Sequence, residues 1–136
     1  MVTLRYLLDT DVTIDLLRGS PRLDRRKFIA AEGLIAVSTI TVMELEFGIE
    51  RSTRPDVNRA EVVGLLSRLV ILPFGQLAAE HAGRIRAHLT AKGLTIGPFD
   101  TLLAGHARSA ALTMVTHNTG EFSRVPGLLL EDWMGQ

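Results

Sequence analysis

Short apolar runs alternate with longer segments of helical period along this chain. The runs fall at residues 4–8, 34–37, 70–72, 113–115 and 128–130. They are too short for helices and lack the polar alternation of a half-exposed strand, so they read as strands covered on both faces. Between them the punctuation marks helices. Thr10 or Asp11 caps one that ends before Gly19, and Ser20-Pro21 opens a second that ends near Gly33. Further helices are predicted from 41 to about 51, from 55 to about 69, from 76 to 92 ahead of Gly93, and from Gly97-Pro98 to Ala111. Strands alternating with helices predict an α/β fold with a parallel sheet covered on both faces. Such sheets bind ligands beyond the carboxyl ends of their strands.

At 136 residues the chain has the length of a single domain. Without cysteine, it has no disulfide, no thiolate zinc site and no cysteine nucleophile. No secretory signal is read at Met1-Val2-Thr3-Leu4-Arg5-Tyr6, and no uncharged run approaches the ~20 residues that span a bilayer. The expectation is a soluble, cytoplasmic protein with no membrane partner. Fifteen basic and 15 acidic side chains cancel, which argues against a broad nucleic-acid-binding face but leaves room for a local one. All the bases except Lys27 and Lys92 are arginine, whose planar fork suits phosphate, although a GC-rich genome gives the same bias.

Four polar residues fall just after a strand or within the first turns of a helix. Asp9 follows the first run directly, and Glu44 lies one turn into the helix after the second. Asp100 is in the first turn of the helix opened by Gly97-Pro98, and Asn118 comes just after the fourth run. In a parallel, right-handed sheet all four lie along one edge. Two like charges 4 Å apart repel by about 4 kcal/mol at an effective dielectric of 20, so such a group either takes up protons or takes up a cation. Oxygen donors without histidine or sulfur suit Mg²⁺ or Mn²⁺, which activates water and steadies phosphoryl charge. The chemistry expected is metal-assisted hydrolysis of a phosphate ester. Each residue also has a plainer reading. Asp9 with Thr10 and Asp11 caps a helix, Glu44 has capping-box spacing from Thr41, Asp100 suits the macrodipole, and Asn118 is a turn residue.

Other side chains say less. His81, His88, His106 and His117 form no metalloprotease pair, and there is no P-loop, nucleophile elbow or dinucleotide fingerprint. Arg84 and Arg86 are candidate contacts to a substrate backbone, as is the basic run Arg25-Arg26-Lys27; the alternative for both is a solvated helix face.

These residues resemble the PIN-domain ribonucleases, and within them the VapC-type toxins of bacterial toxin–antitoxin pairs. The likeness is carried by Tyr6-Leu7-Leu8-Asp9-Thr10, by residues 38–48 (STITVMELEFG), by 83–108 (GRIRAHLTAKGLTIGPFDTLLAGHAR) and by 115–133 (VTHNTGEFSRVPGLLLEDW), while 52–69 shows little match. The resemblance implies one PIN domain over 1–136, a three-layer α/β/α fold on about five parallel strands. It implies a metal-dependent endoribonuclease whose core acids are Asp9, Glu44 and Asp100, holding Mg²⁺ or Mn²⁺. Asn118 falls where many members carry another aspartate, and Glu121 stands near enough to supply that charge. Asp11 occupies a position that is often asparagine, and Thr116 matches a small polar residue beside the acids. The expected products carry a 5′-phosphate and a 3′-hydroxyl, from structured RNAs such as tRNA or ribosomal RNA. The expected partners are a second copy of the chain and a VapB-type antitoxin, in an assembly that binds operator DNA through the antitoxin. Ile14, Leu16, Leu17, Phe47 and Ile49 either line the antitoxin's groove or belong to the core.

Two other readings stay open. A dehalogenase-like phosphohydrolase shares Asp9-Thr10-Asp11 but needs a lysine and a late acidic pair, where this chain offers Asn118 and Glu121. A catalytically dead module that only holds an antitoxin is the other.

Overall fold

A computed structural model describes residues 3–135, so the reading at Met1 and Val2 lies outside the described residues. The elements are β1 (Tyr6–Leu8), α1 (Thr10–Leu17), α2 (Arg25–Ala30), β2 (Ile35–Ser38), α3 (Thr39–Glu50), α4 (Pro55–Leu66), β3 (Val70–Leu72), α5 (Gln76–Ala91), α6 (Pro98–Ser109), β4 (Thr113–Val115), α7 (Thr119–Phe122) and β5 (Leu130–Glu131). The strands form a five-stranded sheet in the order β3-β2-β1-β4-β5. All pairings are parallel, with Leu7 opposite both Ala36 and Met114, and Leu8 opposite Val115.

The pleat sends alternate side chains to opposite faces, and each face finds its own helices. Leu7, Ala36 and Met114 point to one side, into a core with Ile85 and Leu89 of α5 and Leu103, Ala104 and Ala107 of α6. Leu8, Ile35, Val37 and Val115 point to the other, against Val12 of α1, Ala31 and Trp133. The result is the expected three-layer α/β/α arrangement around five parallel strands. On the first face, α5 and α6 approach closely at Gly105, where an added Cβ would lie 2.6 Å from the backbone nitrogen of Ala82.

Local chemistry sets the boundaries. Proline at the first turn opens α4 and α6. The cap of α1 is Asp9, not Thr10 or Asp11: its side chain accepts from the Val12 amide. The second predicted helix starts later than Ser20-Pro21 suggests, at Arg25 with Asp24 as its cap. Residues ahead of it are drawn off by the C-terminal segment, where Leu23 bridges to Met134 and the Asp24 amide donates to the Trp133 carbonyl at 2.8 Å. The rings of Tyr6 and Phe28 pack edge-on to buried Trp133 at 4.7 and 4.9 Å. Of the five apolar residues considered for a groove, Ile49 is buried, Ile14 and Leu17 pack on the cluster it forms with Leu45 and Val62, and Leu16 packs on the second face of the sheet. Phe47 alone stays exposed, at 60%.

Candidate active site

The chain lays β2 and β3 on one side of β1 and β4 and β5 on the other. The carboxyl ends of β1 and β4 therefore mark the place where strand order reverses, where open α/β sheets hold their ligands. The Asp9 amide donates to the Val115 carbonyl at 3.0 Å and locks these ends together. Asp9 is 4% exposed. One carboxyl oxygen, Oδ1, accepts from the Val12 amide at 2.8 Å and caps α1; the other, Oδ2, accepts from the Thr116 hydroxyl at 2.5 Å. Capping and site placement are thus one arrangement and not alternatives. Burial pushes the Asp9 carboxyl up, the bonds from Thr116 and Val12 pull it down, and the neighbouring Asp11 charge adds to the rise; the net direction is upward.

Glu44 is not the capping-box partner that its spacing from Thr41 suggests. Ser38 caps α3 by accepting from the Ile40 amide, and Thr41 lies inside the helix, fully buried. The Glu44 carboxylate turns across to α1, where Oε2 accepts from the Thr10 hydroxyl. Thr10 Oγ1 is in turn 3.0 Å from Thr41 Oγ1.

Asp100 is half-buried in the first turn of α6. Its carboxyl is pushed up to about 6, first by burial and then by the charges of Asp9, Asp11, Glu121 and Glu44. All these acids lie within electrostatic reach of one group. Asn118 and Glu121 complete the edge: the Asn118 amide nitrogen of the main chain donates to Thr116 Oγ1 at 2.9 Å, and Asn118 Nδ2 donates to Glu121 Oε2 at 2.8 Å. The Thr116 hydroxyl thus joins Asn118 to Asp9.

A cavity of about 460 Å³ opens at Asp9 and Asn118, lined also by Asp11, Ile14, Asp15, Arg18 and His117; Glu44, Asp100 and Glu121 are not among its lining residues. Arg84 and Arg86 are not in it. Arg86 lines a separate, largely apolar cleft of about 610 Å³ with Phe74, Leu89 and Phe99, and Arg84 faces Glu80 at 3.8 Å. Nothing along the chain singles out Arg18, the arginine of the acidic cavity. The role of His117 is equally hidden there: it bridges Asp132 at 3.0 Å and Asp15 at 3.2 Å, partners that lie far from it in sequence. His106 is buried against Ser38, and His81 accepts from Arg108 at 3.0 Å, so both are structural.

Among the described residues no three His, Asp or Glu side chains form a group that could hold a metal ion. A stripped ion caged by protein does not suit this arrangement. A hydrated one does: Mg²⁺ keeps several waters and needs only one or two direct carboxylates. The donors are all oxygen, and their mutual repulsion is what a divalent cation relieves. In donor chemistry and charge the residues fit such an ion.

The chain matches the PIN domain family over residues 6–128. It is 44% identical over 130 residues to the tRNA(fMet)-specific endonuclease VapC of Shigella flexneri, covering 96% of this chain and 98% of that protein. It is 40% identical over 131 residues to ribonuclease VapC2 of Haemophilus influenzae, covering 96% and 99%. Among solved structures, the chain superposes on one from the DNA-bound VapBC complex of Salmonella typhimurium with a TM-score of 0.92, at 43% identity over 96% of this chain and 99% of that one. A chain from VapBC2 of Rickettsia felis, bound to a DNA fragment from its promoter, gives 0.89 at 32% identity, covering 96% and 99%. Sheet order, the acids at the strand ends and these likenesses agree, and the chain belongs to the PIN domain family.

Proposed function

We propose that this chain is a VapC-type endoribonuclease, the toxin of a toxin–antitoxin pair, that hydrolyses a phosphodiester bond of tRNA with the help of Mg²⁺ or Mn²⁺. The observation that carries the proposal is the gathering of Asp9, Glu44, Asp100 and the Asn118–Glu121 pair around the reversal point of the sheet. Relatives named as endonucleases and ribonucleases support the reaction class, and the Shigella relative's name supports the RNA.

Asp9 and Asp100 would hold the cation directly, and Glu44 would act on it through its bound waters. When bound, the ion lowers the pKa of a coordinated water and offsets charge gathering on the phosphoryl oxygens. Thr116 fixes the Asp9 carboxylate through Oδ2 and favours its ionised form. Asn118 draws Glu121 to the rim, so the second acid of that strand end acts from one turn further on. Asp11 adds negative charge at the mouth. Arg18, the arginine of this cavity, contacts a backbone phosphate. Arg84 and Arg86 are not assigned to the substrate, since Arg86 lines the separate apolar cleft and Arg84 faces Glu80.

The solved VapBC complexes support a VapB-type antitoxin as the partner, with operator DNA bound by the joint assembly. A homodimer is part of the proposal, and sedimentation of the purified chain tests it. Among the described residues no helix is long and apolar enough to cross a membrane.

The test is cleavage of initiator tRNA by the purified protein, with Mn²⁺ and with chelator, beside Asp9→Asn and Asp100→Asn. Metal-dependent cutting that both variants lose supports the proposal. Equal cutting by all three proteins removes these acids from the reaction. Hydrolysis of small phosphomonoesters without RNA cleavage favours the dehalogenase-like alternative.

A further inference from the structure

Two buried threonines are explained neither by capping nor by packing. Thr10 is the first residue of α1, yet Asp9 does the capping. Thr41 is fully buried in α3, where a hydroxyl normally bonds to a carbonyl of its own helix. Instead its oxygen meets that of Thr10, 31 residues away. A valine would fill either place without a polar atom to satisfy.

The order of the protons follows from valence. Glu44 as a carboxylate only accepts, so Thr10 must give it the one proton its hydroxyl carries. Thr10 Oγ1 is then left as an acceptor, and Thr41 must be the donor to it. The chain runs from Thr41 to Thr10 to Glu44 and ends on Oε2. Among the described residues Glu44 Oε1 has no hydrogen bond and stays available. The pattern repeats that of Thr116, which ties one oxygen of Asp9.

We propose that Thr10, backed by Thr41, is a positioning residue that tethers the Glu44 carboxylate beside Asp9. The inference rests on the ribonuclease reading for its purpose. Glutamate has three rotatable bonds, and the like charge of Asp100, which acts on Glu44 as Glu44 acts on it, opposes holding the carboxylate at this edge. A charge-assisted bond from Thr10 offsets that repulsion. Because Thr10 is joined to Asp9 by one peptide bond, the tether sets the Glu44 carboxylate relative to Asp9 and not merely to α1.

The experiment compares the full-length wild type with Thr10→Val, Thr10→Ser and Thr41→Val. It uses crystal structures in chelator, Mn²⁺ binding by calorimetry, and thermal melts. Thr10→Val should release the Glu44 carboxylate from its wild-type position and weaken Mn²⁺ binding about tenfold, the lower end of the loss that follows disturbance of the groups around a metal's direct ligands. Thr10→Ser should restore both. Thr41→Val should loosen Glu44 and weaken binding by a smaller factor, and it decides the matter if Thr10→Val gives no cooperative melt. Folded valine variants that keep Glu44 in place and bind Mn²⁺ like the wild type overturn the tether. If the wild type itself neither binds Mn²⁺ nor cuts RNA, the ribonuclease reading falls, and the crystal structures still judge whether Thr10 holds Glu44.

Discussion

Replacing Asp100 by asparagine should abolish activity and at the same time stabilise the metal-free protein. The Asp100 carboxyl stands at about 6 against an ordinary 3.8, because burial and the charges of Asp9, Asp11, Glu121 and Glu44 disfavour its ionisation. At 1.36 kcal/mol per pH unit that difference is about 3 kcal/mol. The group is only half-buried, so solvent screening reduces the cost to on the order of 1–2 kcal/mol. Proton linkage fixes the sign. Below pH ~3.8 the group is protonated folded and unfolded and costs nothing. Between 3.8 and about 6 the unfolded chain loses the proton first, so stability falls as pH rises, and above about 6 the full cost is present. The amide of the Asp100→Asn variant is neutral throughout and escapes this loss. Thermal melts in chelator should therefore place Asp100→Asn about 3–8 °C above the wild type at pH 7.5, with the gap nearly closed at pH 4. Any fixed cost of the amide itself is the same at both pH values, so the change in the gap is the diagnostic quantity. Adding Mn²⁺ at pH 7.5 should raise the wild type and leave the variant unmoved. A gap that is the same at both pH values, or a variant that melts lower at pH 7.5 than at pH 4 relative to wild type, refutes the electrostatic reasoning.

Other perturbations probe neighbouring parts of the site and fold. Thr116→Val removes the 2.5 Å donor to Asp9 and the acceptor of the Asn118 amide, and should cost about 1–3 kcal/mol in urea denaturation while lowering cleavage about 10- to 100-fold; Thr116→Ser should keep both. Asn118→Asp exchanges the 2.8 Å bond to Glu121 for a like-charge pair, so melts in chelator should fall while calorimetry shows tighter Mn²⁺ binding. Gly105→Ala would put a Cβ 2.6 Å from the Ala82 nitrogen, and because the obstacle is backbone the two helices must part, at a cost of about 1–3 kcal/mol in urea.

Much of this was legible because apolar runs and strand ends are local features. The runs at 70–72 and 113–115 coincide with β3 and β4 as they stand, and the others shift by a residue or two. The rule that ligands gather at the carboxyl edge of the sheet singled out Asp9, Glu44 and Asp100 as candidates, and the charges of Asp9 and Glu44 do act on Asp100. What escaped was set by contacts distant in sequence. The stretch 20–24 lost its helix to the C-terminal segment through Leu23 and Met134. Short α7 has no periodicity to reveal it. Thr41 and Glu44 have the spacing of a capping box, yet Ser38 took the cap and left Thr41 to Thr10, a pairing between two helices. Arg84 and Arg86 looked well placed along the chain, but their helix turns them to an apolar cleft and to Glu80, while Arg18 lies in the acidic cavity.

The most direct measurement is an anomalous-difference map, at the manganese absorption edge, from crystals of the wild type soaked in Mn²⁺. A peak is expected at the carboxyl end of β1, in contact with Asp9 and Asp100, and it should vanish in Asp9→Asn. A protein that cuts RNA in Mn²⁺ yet shows no density there, or binds the ion only elsewhere, contradicts the assignment of these acids as the metal site.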